Sequence, residues 1–271
     1  MDTAGGSSAP IATDRGGGTI TTHGGTYRST GNNSPAIYST GTITSDKGTF
    51  AATGSEVVVI EGANTVTLTD ATLTSSKAGK WGVMIYQSMS GDASGAQGVY
   101  TQTGGSLTDT ASDSPLFYVT NSTGVIKLSG VKVSAPSGVL VKATAGQWGT
   151  SGSNGGTVRL TATGETLAGS IVADKVSSVT LTLTKASTLT GAIDTAGTAK
   201  GTALALDPTS TWSVTANSHL TTLTGALVSG STITNVKGNG HTVSYDANAS
   251  ANSYLGARTY TLAGGGTLSP A

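Results

Sequence analysis

Polar and apolar positions alternate along this chain in short bursts, and the bursts recur. Threonine-rich strand starts stand at residues 19, 42, 65, 98, 124, 157, 178 and 202, with a further candidate at 232. The gaps between them are 23, 23, 33, 26, 33, 21, 24 and 30 residues. Alternation with a period of two marks half-buried strands. A super-period of about 20–30 residues built from strands marks a solenoid.

Written in register, Thr19-Ile-Thr-Thr-His-Gly-Gly-Thr-Tyr27 lies over Thr42-Ile-Thr-Ser-Asp-Lys-Gly-Thr-Phe50, and both lie over Thr65-Val-Thr-Leu-Thr-Asp-Ala-Thr-Leu73. The eighth position past the first three starts is large and apolar at Tyr27, Phe50 and Leu73, and Leu107, Val133, Leu167, Leu189 and Trp212 stand one to three residues beyond that offset. Such a column is an interior stack, in which each side chain buries itself against its copy in the next coil. A tight corner holding Gly24, Lys47, Asp70, Gly104, Gly130 and Gly164 separates the first strand from the second. Glycine and Asp suit such corners because they tolerate positive φ or bond their own backbone. A third strand follows, as in Ser55-Glu-Val-Val-Val-Ile-Glu-Gly62, Trp81-Gly-Val-Met-Ile-Tyr-Gln87 and Ser114-Pro-Leu-Phe-Tyr-Val-Thr-Asn121.

The pattern predicts an all-β chain: a right-handed, single-stranded parallel β-helix with three strands per coil and eight to nine coils. Residues 1–18 read as a partial, trimmed N-terminal coil that offers third-strand residues without a first or second strand. Residues 19–235 read as the helix proper. Residues 236–271 read as a closing cap, with a hairpin between 238–246 and 260–262.

Composition narrows the function classes. The chain has 14 Lys and Arg against 14 Asp and Glu, only 10% charged residues, and 40 glycines. A neutral chain without a basic run speaks against a nucleic-acid or anionic-membrane binder. No stretch reaches the roughly 20 apolar residues of a membrane-spanning helix. Without cysteine there is no disulfide framework and no thiolate metal site.

Two coils are about ten residues too long, and both insertions follow a third strand. They span residues 86–97 and 143–156, and one coil separates them. Insertions in solenoids gather on one face, which is often the binding face. Trp81, Tyr86 and Trp148 flank these loops and suit stacking on sugar rings, while Asp92, Lys142, Gln147 and Asn154 are candidate polar contacts. Two alternatives stand beside that groove: the loops cover the third strand, or they form a protein interface. The third strand is apolar at both alternating positions, as in Val57/Val59 with Val58/Ile60, so both its faces require cover.

Other chemistry has thinner support. Asp46 and Asp70 share a corner of consecutive coils and Glu61 closes the coil between them, which makes the three a candidate calcium set. Lys80, Lys142 and Arg159 are the basic residues nearest the loops, where a lyase base would be sought, and no acid is arrayed with them. The stacked pairs Thr19/Thr21, Thr42/Thr44 and Thr65/Thr67 suggest an ice-binding ladder, which Gly98, Gly124, Ile126 and Lys127 interrupt.

Ser34-Pro-Ala-Ile-Tyr-Ser-Thr-Gly41, Gly82-Val-Met-Ile-Tyr-Gln-Ser-Met-Ser-Gly-Asp92, Pro115-Leu-Phe-Tyr-Val-Thr-Asn121 and Trp148-Gly-Thr-Ser-Gly-Ser-Asn-Gly-Gly156 carry a resemblance. They resemble segments of bacterial extracellular β-helix proteins that contain a carbohydrate-binding domain, which are similar in fold to the polysaccharide (pectate) lyases. The likeness spans roughly residues 9–246. It implies secretion, cell-surface association, calcium, and affinity for plant cell-wall glycans such as cellulose or acidic pectin without catalysis. The expectation is therefore a secreted, non-catalytic polysaccharide-binding β-helix. Its rival is a structural or adhesive module that forms homo-oligomers, or associates end to end, through a solenoid end or the apolar third sheet.

Overall fold

The computed structural model describes residues 1–15 and 17–271. Stacked parallel strands form a β-helix with three sheets. The first sheet has nine strands, running from Thr19–His23 through Thr65–Thr69, Gln97–Thr103 and Ser122–Ser129 to Thr222–Thr224. Its inward residues stack in register as Ile43, Val66, Tyr100, Ile126, Leu160, Leu181, Leu204 and Leu223, and all are buried. Gly98 and Gly124 also face inward. A Cβ on Gly98 would lie 2.5 Å from Ile85 Cγ2 and one on Gly124 2.7 Å from Val119 Cγ2, so glycine is what the crowded core admits there. With Ile126 also inside, Lys127 is the one of the four expected ladder-breakers that interrupts the outer threonine column.

The second column pairs Tyr27, Phe50, Leu73, Leu107 and Val133 in register, and then Leu167, Leu189, Trp212 and Val236. Between Lys132–Ser134 and Thr166–Ala168 the strand ladder breaks. The buried Glu165 carboxylate fills that break, accepting the Val131 N–H at 2.8 Å, and burial pushes its pKa up. The corners behave as read: Gly24, Lys47, Asp70, Gly104, Gly130 and Gly164 all have φ between 49° and 67°. Glycine meets no Cβ penalty in that left-handed region, whereas Lys47 and Asp70 carry one of about 1–2 kcal/mol each.

Four expectations are corrected. The third position is filled by seven strands from Ile11–Ala12 to Ser170–Ala173, then a single bridge of Ile193 to Ile171, then Ser218–Leu220, Thr242–Tyr245 and Thr267–Pro270, which makes about 11 turns rather than eight or nine. Thr232–Lys237 is a second strand below Thr211–Ser213, not a first strand. Asp2–Thr3 pairs with Arg28 and Ser29 in the second sheet, so a second strand does precede the third strand at Ile11–Ala12. At the far end, Thr242–Tyr245 continues the third column, and the hairpin joins Tyr260–Ala263 to Thr267–Pro270.

The 3-10 helix Ser250–Leu255 stands where a tenth first strand would be. Its buried Asn252 accepts the Leu223 N–H at 2.8 Å and donates to Thr221 O at 2.9 Å, and Tyr254 donates to Leu223 O at 2.9 Å. These side chains satisfy backbone groups of the sheet's last strand, whose edge would otherwise invite another strand.

Candidate functional site

On the outer face of the third sheet, Tyr38, Val59, Met84, Tyr118 and Lys142 lie in register across five strands. Val59, Met84 and Tyr118 form a small apolar cluster separate from the interior core, packed over by Tyr38, Trp81, Tyr86 and Trp148. Trp81 stacks on Tyr118 with ring centroids 4.1 Å apart and planes 15° apart, and Tyr86 meets Trp148 at 4.7 Å and 52°. The covering expected for this sheet is therefore supplied by the chain itself.

The covering is incomplete. An open cleft of about 410 Å³ remains, its walls including Tyr38, Trp81, Tyr86, Tyr118, Gln147 and Trp148. Polar groups hold its two ends. At one, Lys80 lies 5.9 Å from the Trp81 ring, donates to Asn33 Oδ1 at 3.1 Å and sits 3.7 Å from Glu56 Oε1. Glu56 is 3% exposed, and its other oxygen accepts the Ser55 hydroxyl. At the other end, the buried Glu61 carboxylate accepts the hydroxyls of Tyr38, Tyr86 (2.9 Å) and Ser88. Burial is the main cause that pushes both phenols well above the usual tyrosine range. Glu61 adds to the shift in Tyr38, and the proximity of Tyr38 and then Glu61 adds to it in Tyr86. Both hydroxyls therefore stay protonated.

The two insertions are built by the same device, one buried amide each. Gln87 donates to Ala93 O at 3.0 Å and Gly95 O at 2.6 Å, which closes the first loop. Asn154 donates to Gly146 O at 2.9 Å and Trp148 O at 2.8 Å, which closes the second and aims Trp148 back over the sheet. A serine relay pins the first loop: Ser88 contacts Ser90 at 2.7 Å, Ser90 donates to Asp92 at 3.0 Å, and Asp92 pairs with Arg15 at 2.7 Å.

Of the seven candidate glycan contacts, Trp81, Tyr86, Gln147 and Trp148 line the cleft. Asp92 lines an adjoining hollow with Tyr38 and Tyr86. Asn154 is buried, and its amide N–H groups close its own loop beside Trp148, while its Oδ1 has no hydrogen-bond partner. Lys142 lies beyond the cleft, in register with Tyr118 and Val172. The trio Asp46, Glu61 and Asp70 does not converge: Asp46 and Asp70 stand at the corner after the first strand, while Glu61 ends a third strand and is held by hydroxyls. Among the described residues, no group of three or more His, Asp or Glu side chains could hold a metal ion. Arg159 points outward from the first sheet, away from this face.

Sequence reasoning missed Tyr38, Tyr118 and Glu56 as cleft residues and saw Lys80 only as a basic residue near the loops. Tyr38 and Tyr118 sit on regular strands, and only the register of the third column places them beside Trp81 and Tyr86. The signal was present in the double-sided apolar pattern of that column. Compared with known proteins, the chain matches no family model, no curated protein and no solved structure.

Proposed function

We propose that this chain is a non-catalytic glycan-binding β-helix and that the aromatic cleft on its third sheet holds the sugar chain. One observation carries the reading: half-exposed tryptophan rings from the loops and tyrosine rings from the third-sheet strands line an open cleft, with a few hydrogen-bonding groups at its ends. Ligand sites commonly combine apolar walls with a small number of placed polar atoms. Aromatic rings offer flat apolar faces to the C–H face of a pyranose at little entropic cost. The charged groups in the cleft serve architecture: Glu61 receives three hydroxyls, and Lys80 is shared by Asn33 and Glu56. On this reading the protein works outside a bacterial cell, where wall glycans are found.

The rival reading, an adhesive module docking through an apolar third sheet, has less support, because Trp81, Tyr86 and Trp148 of the same chain already pack over Val59, Met84 and Tyr118.

Affinity gels and pull-downs on cellulose, xylan, chitin and pectate, each with calcium or chelator, test the proposal. Retention by one polymer that Trp148→Ala abolishes, with an unchanged melting temperature, supports it. Failure of every polymer to retain the protein overturns it. The chelator arm decides whether calcium takes part.

A further inference from the structure

Resting on the glycan reading, we infer that the cleft selects neutral, hydroxyl-bearing glycans and turns away polyuronates. The argument runs through where the protons are. A carboxylate accepts hydrogen bonds and has none to give. Tyr38 and Tyr86 both spend their single O–H on Glu61. What the two phenol oxygens can still offer a ligand in the cleft is lone pairs, so both act there as acceptors.

Glu56 sits at the opposite end. Its Oε1 is buried without a hydrogen-bond partner, with only the Lys80 ammonium nearby at 3.7 Å. Leaving a buried acceptor unpaired is costly, and the Lys80 ammonium offsets part of that cost. Lys80 is the cationic donor of the cleft, and it is already turned to Asn33 and Glu56. At the Glu61 end the cleft thus sets two phenol acceptors, while its one cationic group, Lys80, stands at the opposite end.

Charge agrees with hydrogen-bond polarity. Glu56 and Glu61 face one ammonium, Lys80, and among the described residues no cation pairs with Glu61. Asp92 and Arg15, beside the adjoining hollow, cancel each other at 2.7 Å. A uronate at the Glu61 end would bring its carboxylate against the Tyr38 and Tyr86 oxygens and the uncompensated Glu61 charge, losing water there. A neutral sugar presents hydroxyl protons to those same acceptors while its ring lies against the aromatic faces.

The test varies the ligand and leaves the protein whole. Polygalacturonate of one chain length is prepared fully methyl-esterified and fully de-esterified, and retention of the wild-type chain is compared at about 0.15 M salt, where long-range attraction is screened. The neutral ester should be retained at least about fivefold more strongly. A Tyr38→Phe/Tyr86→Phe double variant keeps both rings and removes both acceptors, and its retention on the neutral polymer should fall about tenfold. Equal or stronger retention of the de-esterified polymer, lost in Trp148→Ala, overturns the selection and leaves the glycan reading standing. Retention by neither polymer nor by hydroxyethyl cellulose removes the glycan reading itself. If the double variant fails to fold, the ester comparison on the wild-type chain decides alone.

Discussion

The first and third sheets share one interior and present opposite exteriors. Outward from the first sheet, Thr21, Thr44, Thr67, Thr101, Lys127, Thr161 and Thr182 form one column in register. The equivalent column on the third sheet reads Tyr38, Val59, Met84, Tyr118 and Lys142. Threonine favours strands and leaves a solvated, shallow surface. Tyrosine, methionine and valine leave a surface that must be covered, and two insertions grew over it. The interior stack sets where strands run; the outward positions, free of that duty, decide what a face can do.

That contrast can be broken at several levels. Leu68→Ala, inside the first sheet with no exposure, should destabilise the helix by about 2–5 kcal/mol in urea unfolding, because rigid neighbouring coils cannot close the cavity. Trp81→Ala, on the third sheet's outer face, should lower glycan retention by about tenfold while shifting the melting temperature far less. A full unfolding loss in Trp81→Ala would mean that the outer cluster is a second core and not a site.

Asp109 tests the corner that leads into the third sheet. Burial pushes its pKa up although it accepts the Ala111 N–H at 2.9 Å, and the charges of Asp113 and Glu56 add to the shift. A raised carboxyl favours the folded state while protonated, so its contribution is present at low pH and is lost as pH rises above the ordinary carboxylate range. Wild-type stability should therefore rise relative to Asp109→Asn when pH falls from 7 toward 4. Identical pH profiles in thermal melts would show that the carboxyl is not desolvated. Smallest of all, Thr67→Ala should move neither stability, by more than about 0.5 kcal/mol, nor glycan retention.

The fold was legible because a solenoid repeats its constraints. Phe50 and Leu73 need the same depth, and Lys47 and Asp70 need the same left-handed corner, so one alignment of coils exposes both. The turn count fell short where the repeat changes its parts: Asp2–Thr3 is too short to read as a strand, and Ser250–Leu255 replaces a first strand with a helix. Within the site, Trp81, Tyr86, Gln147 and Trp148 were legible because insertions announce themselves by length. The loop-closing role of Asn154 was not legible, because a loop amide serves its own backbone or a ligand with equal ease and spacing does not separate the two. Glu61 was seen as a metal ligand because its hydroxyl partners, Tyr38 and Ser88, lie 23 and 27 residues away in sequence.

The recurrent left-handed corner carries a consequence for how such a chain changes length. Thr19, Thr42 and Thr65 stack directly, and each corner between them returns the backbone to the same starting point. The natural unit of insertion or loss is thus a complete circuit of 23 residues, as from Thr42 to Asn64, and not a single position. Excising one circuit would set Thr19 against Thr65 with every inward column still aligned, whereas removing one residue would turn a strand inside out. The molecule can grow or shrink like a stack of washers while its exterior is rewritten one face at a time.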